Sequence, residues 1–302
     1  LVFWTSNQAP QGVKGVLGTM YAETATGGVQ VIVPDVGGGF GAKIAAYPED
    51  VLLPWLAQKI GRPMRWFETR TENMQAMGPG RAHVHRFTLG GSADGNLTHY
   101  RLEVLVDSGA YARLGAFLPM FTLPMTTGVY EIASVETSAL SVITNTTPTE
   151  AYRGAGRPEA TLTIERAVEL WSFQAGLDPV EVRRQNFLAA DSFPVTTGVG
   201  TVYDSGEYER SLDLALEAAD YPALREQQAQ RRTTGEAKQL GIGIATYVEV
   251  TAGPAPGTLR HDVRPTRPNP AGSPRLGARP SRTRWRAWRR PCGAWPGDRL
   301  LP

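Results

Sequence analysis

Two glycine-rich stretches hold the residues best suited to chemistry. The first is VIVPDVGGGFGAK, residues 31–43. Gly37, Gly39 and Ala42 fit the G-x-G-x-x-A spacing that follows a strand in dinucleotide-binding folds, where bare backbone N–H groups approach a pyrophosphate. The acid expected about twenty residues later is out of place, because Glu68 lies 26 positions beyond Ala42. Pro48 and Pro54 also interrupt the helix that should follow. A tight packing turn explains the same letters. The second stretch is AYRGAGRPE, residues 151–159. Gly154 and Gly156 let main chain pass close to a ligand, and the five donors of the Arg153 guanidinium suit phosphate or oxo groups. A turn leading into a helix opened by Pro158 is the plainer alternative.

Other candidates are weaker. His83 and His85 share a strand face, but no carboxylate stands at metal-ligand spacing, so satisfied or exposed strand histidines are expected. Glu49-Asp50 suits a helix start, where acids favour the dipole, and Arg183-Arg184 reads as the solvated end of a helix. G-x-S-x-G, H-E-x-x-H and P-loop lysine motifs are absent.

The elements that must carry these residues read as α+β, mixed sheets and helices rather than a doubly wound sheet. Gly28–Pro34 predicts a strand, 37–42 a glycine turn, 49–60 a helix and Pro63–Glu68 a short strand. His83–Leu89 and Leu97–Asp107 alternate around SADGN and predict a hairpin, with Tyr100, Leu102, Val104 and Val106 on one face. Beyond Pro158, the stripe Ile164, Ala167, Val168 and Trp171 predicts a helix that Gly176 stops. Asp178-Pro179 opens another, and Glu207 to Ala219 a third.

The chain has 302 residues, a net charge of +2 and one cysteine, Cys292, which excludes a disulfide framework or a thiolate-rich metal site. No run of eighteen apolar residues is present, and the averages suit a cytoplasmic globular protein. The charge is divided unevenly. Residues 251–302 hold eleven arginines, no lysine and two acids, a net +9; the rest hold twenty basic and twenty-seven acidic residues, a net −7. That tail has no apolar period, and its Arg, Pro, Gly, Ala and Trp are what GC-rich codons give in a wrong frame. A frameshifted, disordered 256–302 is therefore expected. An Arg- and Trp-bearing arm for nucleic acid or a membrane surface is the alternative.

Taken in order, SNQAPQGVKGVLG, VPDVGGGFGAK, AAYPEDVLLPWLA, GRPMRWFETRTENM, DSGAY, NTTPTEAYRGAGRPEA, LDPVEVRRQNF and YDSGEYERSLDLALE resemble the molybdopterin-binding large subunit of the molybdenum hydroxylases. These are the xanthine dehydrogenase, aldehyde oxidase and aerobic carbon monoxide dehydrogenase family. The resemblance covers about residues 1–250. It implies a first cofactor-binding domain over 1–240 and the start of a second over 241–255.

The resemblance implies oxidative hydroxylation at an electron-poor carbon with water as the oxygen source. Electrons would leave to an Fe–S small subunit and an FAD-binding medium subunit, in a dimer of heterotrimers. It places Gln8, Gly38, Gly39, Phe40, Gly41 and Arg153 at a molybdopterin cofactor of the cytosine dinucleotide form, with no protein side chain bound directly to the metal. Gly154 and Ala155 would wall the substrate pocket. The general-base glutamate belongs to the second half, so the chain is expected to be a fragment, inactive alone. Departures narrow the substrate. Gly154 stands where the carbon monoxide enzyme has its copper-binding cysteine. Ala155 and Ile44 replace the purine-stacking phenylalanine and a glutamate of xanthine dehydrogenase, and no convincing substrate arginine is found around Phe121. An aldehyde or a (hetero)aromatic substrate is left. Competing readings are a dinucleotide enzyme using Gly37–Ala42 and an interaction protein working through the tail.

Overall fold

Tyr100, Leu102, Val104 and Val106 are each at most 3% exposed, and the fold is built outward from them. The computed structural model describes residues 1–249; the expected aberrant tail 256–302 and the end of the 241–255 segment lie outside the described residues. The four apolar residues belong to β4 (Leu97–Asp107), which pairs antiparallel with β3 (His83–Gly91) as the predicted hairpin. β5 (Ser134–Val142) adds to the other edge of β4 in parallel, giving the order β3-β4-β5.

The predicted stripe packs on this sheet. Ile164, Ala167 and Val168 of α5 (Arg157–Ala175) are buried in one core with the β4 face, and Trp171 leans against it. Gly156 precedes the first turn, which holds Arg157 and Pro158, and left-handed Gly176 closes the helix. α6 (Pro179–Asn186) is capped by Asp178, whose carboxylate accepts the Val180 N–H at 2.8 Å. Its last residue ties helix to hairpin. Asn186, 2% exposed, accepts the Leu97 N–H at 2.7 Å and donates to the Gly95 and Val182 carbonyls at 2.9 and 2.7 Å.

A second, smaller cluster contains Phe3, Val13, Leu17 and Tyr21. Here β1 (Val2–Trp4) and β2 (Gln30–Ile32) form a two-stranded parallel sheet linked by α1 (Pro10–Met20), and α2 (Pro48–Ile60) and α3 (Arg70–Ala76) follow. The Asp50 carboxylate accepts the Tyr47 N–H at 2.9 Å and so caps the first turn of α2, the position expected for the acidic pair. The remaining elements are α4 (Pro119–Thr122), the short β6 (Val195–Thr196) and β7 (Val202–Tyr203), α7 (Tyr208–Ala218) and α8 (Tyr221–Thr234).

Two expectations are corrected. Pro63–Glu68 is extended but forms no strand. Residues 3–7 and 65–68 both line one cleft of about 550 Å³, and β1 pairs with β2 alone. Arg183 is not solvated. It is fully buried, with Nε on Glu165 at 3.0 Å, one terminal nitrogen on the Ile244 carbonyl at 2.9 Å and the other on the Pro179 carbonyl at 3.0 Å. Glu165 also accepts from Tyr130 at 2.5 Å and Thr246 at 3.1 Å, so the irregular run 241–249 is fixed to the core through Ile244 and Thr246. Arg184 is half-buried and paired with Glu209 and Asp213 on α7. Among the described residues, no helix is long and apolar enough to cross a membrane.

Candidate functional site

The two glycine stretches meet in space. The Arg153 N–H donates to the Phe40 carbonyl at 2.9 Å. Both runs are left-handed at the junction: Gly38, Phe40 and Gly41 have φ of 124°, 50° and 101°, and Gly154, Ala155 and Gly156 have 91°, 43° and 90°. Phe40 and Ala155 hold this conformation with a side chain, at a cost of roughly 1–2 kcal/mol each that neighbouring bonds offset. At Gly41 a Cβ would lie 2.6 Å from the Ala151 carbonyl oxygen, and at Gly154 it would lie 2.3 Å from the Pro158 ring. These glycines permit close approach of two backbones.

Gln8, just ahead of α1, supplies a third side. Its N–H donates to the Lys43 carbonyl at 3.0 Å, and its side-chain Oε1 accepts the Gly41 N–H at 2.9 Å. A Cβ on Gly39 would sit 2.2 Å from that Oε1, so the glycine is what lets the amide lie across the loop. With Oε1 engaged, the Gln8 Nε2 donors make no hydrogen bond among the described residues.

Arg153 completes the group. Its exposed guanidinium makes no hydrogen bond, ion pair or ring contact among the described residues. Its main chain, in contrast, is held on both sides, because the carbonyl accepts from Arg81 at 2.5 Å. Gln8, Gly39, Phe40, Gly41 and Arg153 are thus brought together, and Gly154 and Ala155 follow directly. Ile44 opens instead on a cleft of about 670 Å³ with Val16, Tyr111 and Arg113.

Two clamps that sequence reasoning missed support the loops. Arg113 stacks 4.2 Å from the Tyr47 ring, donates to the Ala46 carbonyl at 3.1 Å and pairs with the fully buried Glu150. Burial pushes the Glu150 carboxyl above its ordinary value, opposed by Arg113. The Tyr47 hydroxyl donates to the Ala42 carbonyl at 2.8 Å, so the end of the glycine loop is fixed to the strand-like approach to Arg153. Behind the second loop, Thr163 donates to the Glu159 carbonyl at 2.9 Å and stands 2.5 Å from the Nδ1 of His85. The hydroxyl proton is committed, so His85 donates from Nδ1 and its Nε2 accepts from His83 at 3.3 Å. Burial and the neighbouring His83 lower the His85 pKa to about 4.

Near Phe121, Arg157 lies 4.9 Å from the ring, with its Nε on Glu249 at 3.3 Å. It comes from the far end of the AYRGAGR loop, which no local window of sequence around Phe121 contains.

Glycine backbones in close approach, a free amide donor and an unpaired guanidinium are groups of the kind that can hold an anion. The dinucleotide reading of Gly37–Ala42 does not fit. α2 starts only at Pro48, six residues beyond Ala42, so no helix N-terminus directly follows the glycine turn.

Comparison with known proteins gives a consistent picture. A family model described as "Molybdopterin cofactor-binding domain" matches residues 1–187. The chain is 35% identical over 261 residues to the carbon monoxide dehydrogenase large chain of Hydrogenophaga pseudoflava, covering 84% of this chain and 32% of that one. It is 34% identical to the nicotine 6-hydroxylase large subunit of Paenarthrobacter nicotinovorans, covering 82% and 30%. Among solved structures, quinoline 2-oxidoreductase from Pseudomonas putida 86 matches with a TM-score of 0.72 and 31% identity over 77% of this chain and 30% of that chain. The chain spans about a third of the length of these relatives.

Proposed function

This chain belongs to the molybdopterin cofactor-binding domain family, and on that premise we propose that Gln8, Gly38, Gly39, Phe40, Gly41 and Arg153 hold a molybdopterin cofactor, with Gly154 and Ala155 beside the substrate. The observation that carries this reading is the unpaired Arg153 guanidinium, held at the junction of two glycine loops that side chains would block. When bound, the cofactor supplies a two-electron oxidation of substrate carbon with water as the oxygen source. Arg153 offsets the cofactor's negative charge with a fork of donors, and the Gln8 amide, locked by Gly41, offers its Nε2 protons to an oxygen of the cofactor. Phe40, exposed at the loop tip, screens the centre from water.

The whole protein, on this reading, oxidises an aldehyde or a (hetero)aromatic compound. Gly154 lacks the thiol of a copper centre, Ala155 is too small to stack on a purine, and Ile44 lacks a carboxylate to bind one. We take the cofactor to be the cytosine dinucleotide form, the electron partners to be Fe–S and FAD subunits in a dimer of heterotrimers, and the location to be cytoplasmic. Because the general base belongs to the second half by resemblance, the 302-residue chain alone gives no turnover.

Arg153→Ala is the direct test, in the whole protein produced with its neighbouring subunits. Bound molybdenum and pterin should fall about tenfold, the effect of losing a charge-assisted contact of roughly 1.4 kcal/mol or more. The unfolding midpoint of the cofactor-free protein should stay unchanged, because the side chain has no partner to lose. Undiminished molybdenum in this variant would refute the assignment.

A further inference from the structure

Arg153 has a free side chain on a main chain gripped at two points, and only one of those grips comes from a side chain. That side chain is Arg81, which lies 72 residues earlier in the sequence. One terminal nitrogen donates to the Arg153 carbonyl at 2.5 Å, and the other meets Glu159 Oε1 at 3.0 Å. The guanidinium also lies 4.8 Å from the Tyr152 ring. Glu159, 7% exposed, sits in the first turn of α5, so the fork spans from the helix start back to the loop.

Three further features show that this arrangement is built. Arg81 is left-handed, with φ of 64°, a conformation glycine would adopt without strain. An arginine there is kept for its side chain. Its carbonyl accepts the His83 N–H at 2.9 Å, which fixes the turn at the head of β3. Gly80 clears the approach, since a Cβ there would lie 2.5 Å from the Tyr152 Cβ.

The residue after Arg153 makes this grip decisive. Gly154 has φ of 91°, open to glycine over a wide range, so Gly154 itself restrains the Arg153 carbonyl little. Without the fork from Arg81, the turn keeps its main-chain bonds, Arg153 N–H to the Phe40 carbonyl at 2.9 Å and Ala155 N–H to the Tyr152 carbonyl at 2.7 Å, but the Arg153–Gly154 peptide that orients the guanidinium loses its one side-chain restraint. We propose that Arg81 is the positioning residue for Arg153, setting the guanidinium where an anionic cofactor meets it. The inference rests on the cofactor reading above and assigns a role to a residue that never touches the cofactor.

The test uses Arg81→Met and Arg81→Lys in the whole protein, with two readouts. The first is amide hydrogen exchange of residues 153–156. It should accelerate about tenfold in Arg81→Met, because local opening is released there and not elsewhere. The second is bound molybdenum, expected to fall about fivefold or more. Arg81→Lys retains the charge against Glu159 but offers a point donor in place of a fork, so it should fold normally and restore only part of both signals. Its partial rescue separates positioning from a purely structural loss, and keeps the test alive should Arg81→Met fold poorly. Unchanged exchange at 153–156 would overturn the inference. So would faster exchange with full molybdenum. A wild-type protein devoid of molybdenum would instead defeat the cofactor reading, a different outcome.

Discussion

Removing Arg183 should unfasten the core at its most buried charge. The side chain is fully buried and engages Glu165, the Pro179 carbonyl and the Ile244 carbonyl, with Glu169 at 3.5 Å. Arg183→Met fills the space but leaves the Glu165 carboxylate, 6% exposed, with only the Tyr130 and Thr246 hydroxyls as partners. Stranding a buried charge costs about 3–5 kcal/mol. For a folded body of this size that is a fall in unfolding midpoint of about 6–20 °C. Removing both charges, in Arg183→Met with Glu165→Leu, should recover at least about 2 kcal/mol of the loss, because apolar side chains replace a buried pair at little net cost. The assay is urea unfolding followed by circular dichroism, run on wild type, both single variants and the double. A single-variant cost below about 1 kcal/mol would refute the buried-charge argument, and so would a double variant no more stable than the sum of the singles.

Gly41→Ala should fold poorly and lose cofactor. The new methyl would sit 2.6 Å from the Ala151 carbonyl oxygen, at φ of 101°, and a loss of about 2–4 kcal/mol should appear as a lowered unfolding midpoint. Stability should decline on acidification between about pH 6.5 and 4, because His85 is held neutral. With the folded pKa lowered to about 4, the unfolded chain takes up the proton first, so this contribution is complete above about pH 6.5 and is lost as pH falls towards 4. Allowing for partial solvent screening, roughly 1–2 kcal/mol is at stake, and His85→Gln should flatten the urea midpoint across that interval. Asn186→Asp should cost about 2–3 kcal/mol in the same urea experiment, because a carboxylate would face the Gly95 and Val182 carbonyls where two donors now stand.

What could be read from the letters depended on burial. The hairpin and the α5 stripe were legible because one face of each is buried, which imposes periods of 2 and 3.6 on the apolar residues. β5 was invisible for the opposite reason: seven of its nine residues are exposed, so SVETSALSV shows no core face. α1 was hidden by Gly12, Gly15 and Gly18, which argue against a helix that Val13 and Leu17 hold by packing. Arg183 looked solvated because pairing across helices leaves no local mark. The available signal was Glu165 and Glu169, one turn apart on α5 near an apolar stripe. At the site, the glycine loops announced close backbone approach, and resemblance supplied Gln8 and the cofactor. Arg81, Arg113 and Arg157 act across gaps of 36 to 78 residues, beyond any local pattern.

The junction of the glycine loops also has a kinetic meaning. Gln8 to Gly41 closes 33 residues, and Phe40 to Arg153 closes more than a hundred, whereas β3 and β4 meet across a five-residue turn. Closure entropy grows only slowly with length, but contacts so distant in sequence form after local ones have condensed. The sheet with α5 is therefore the scaffold on which the loops close, and their junction is assembled late. On the proposed reading, loading waits for a folded chain, and a ligand that bridges Gln8, residues 39–41 and Arg153 would then act as the last stitch, stabilising the folded state in proportion to its affinity.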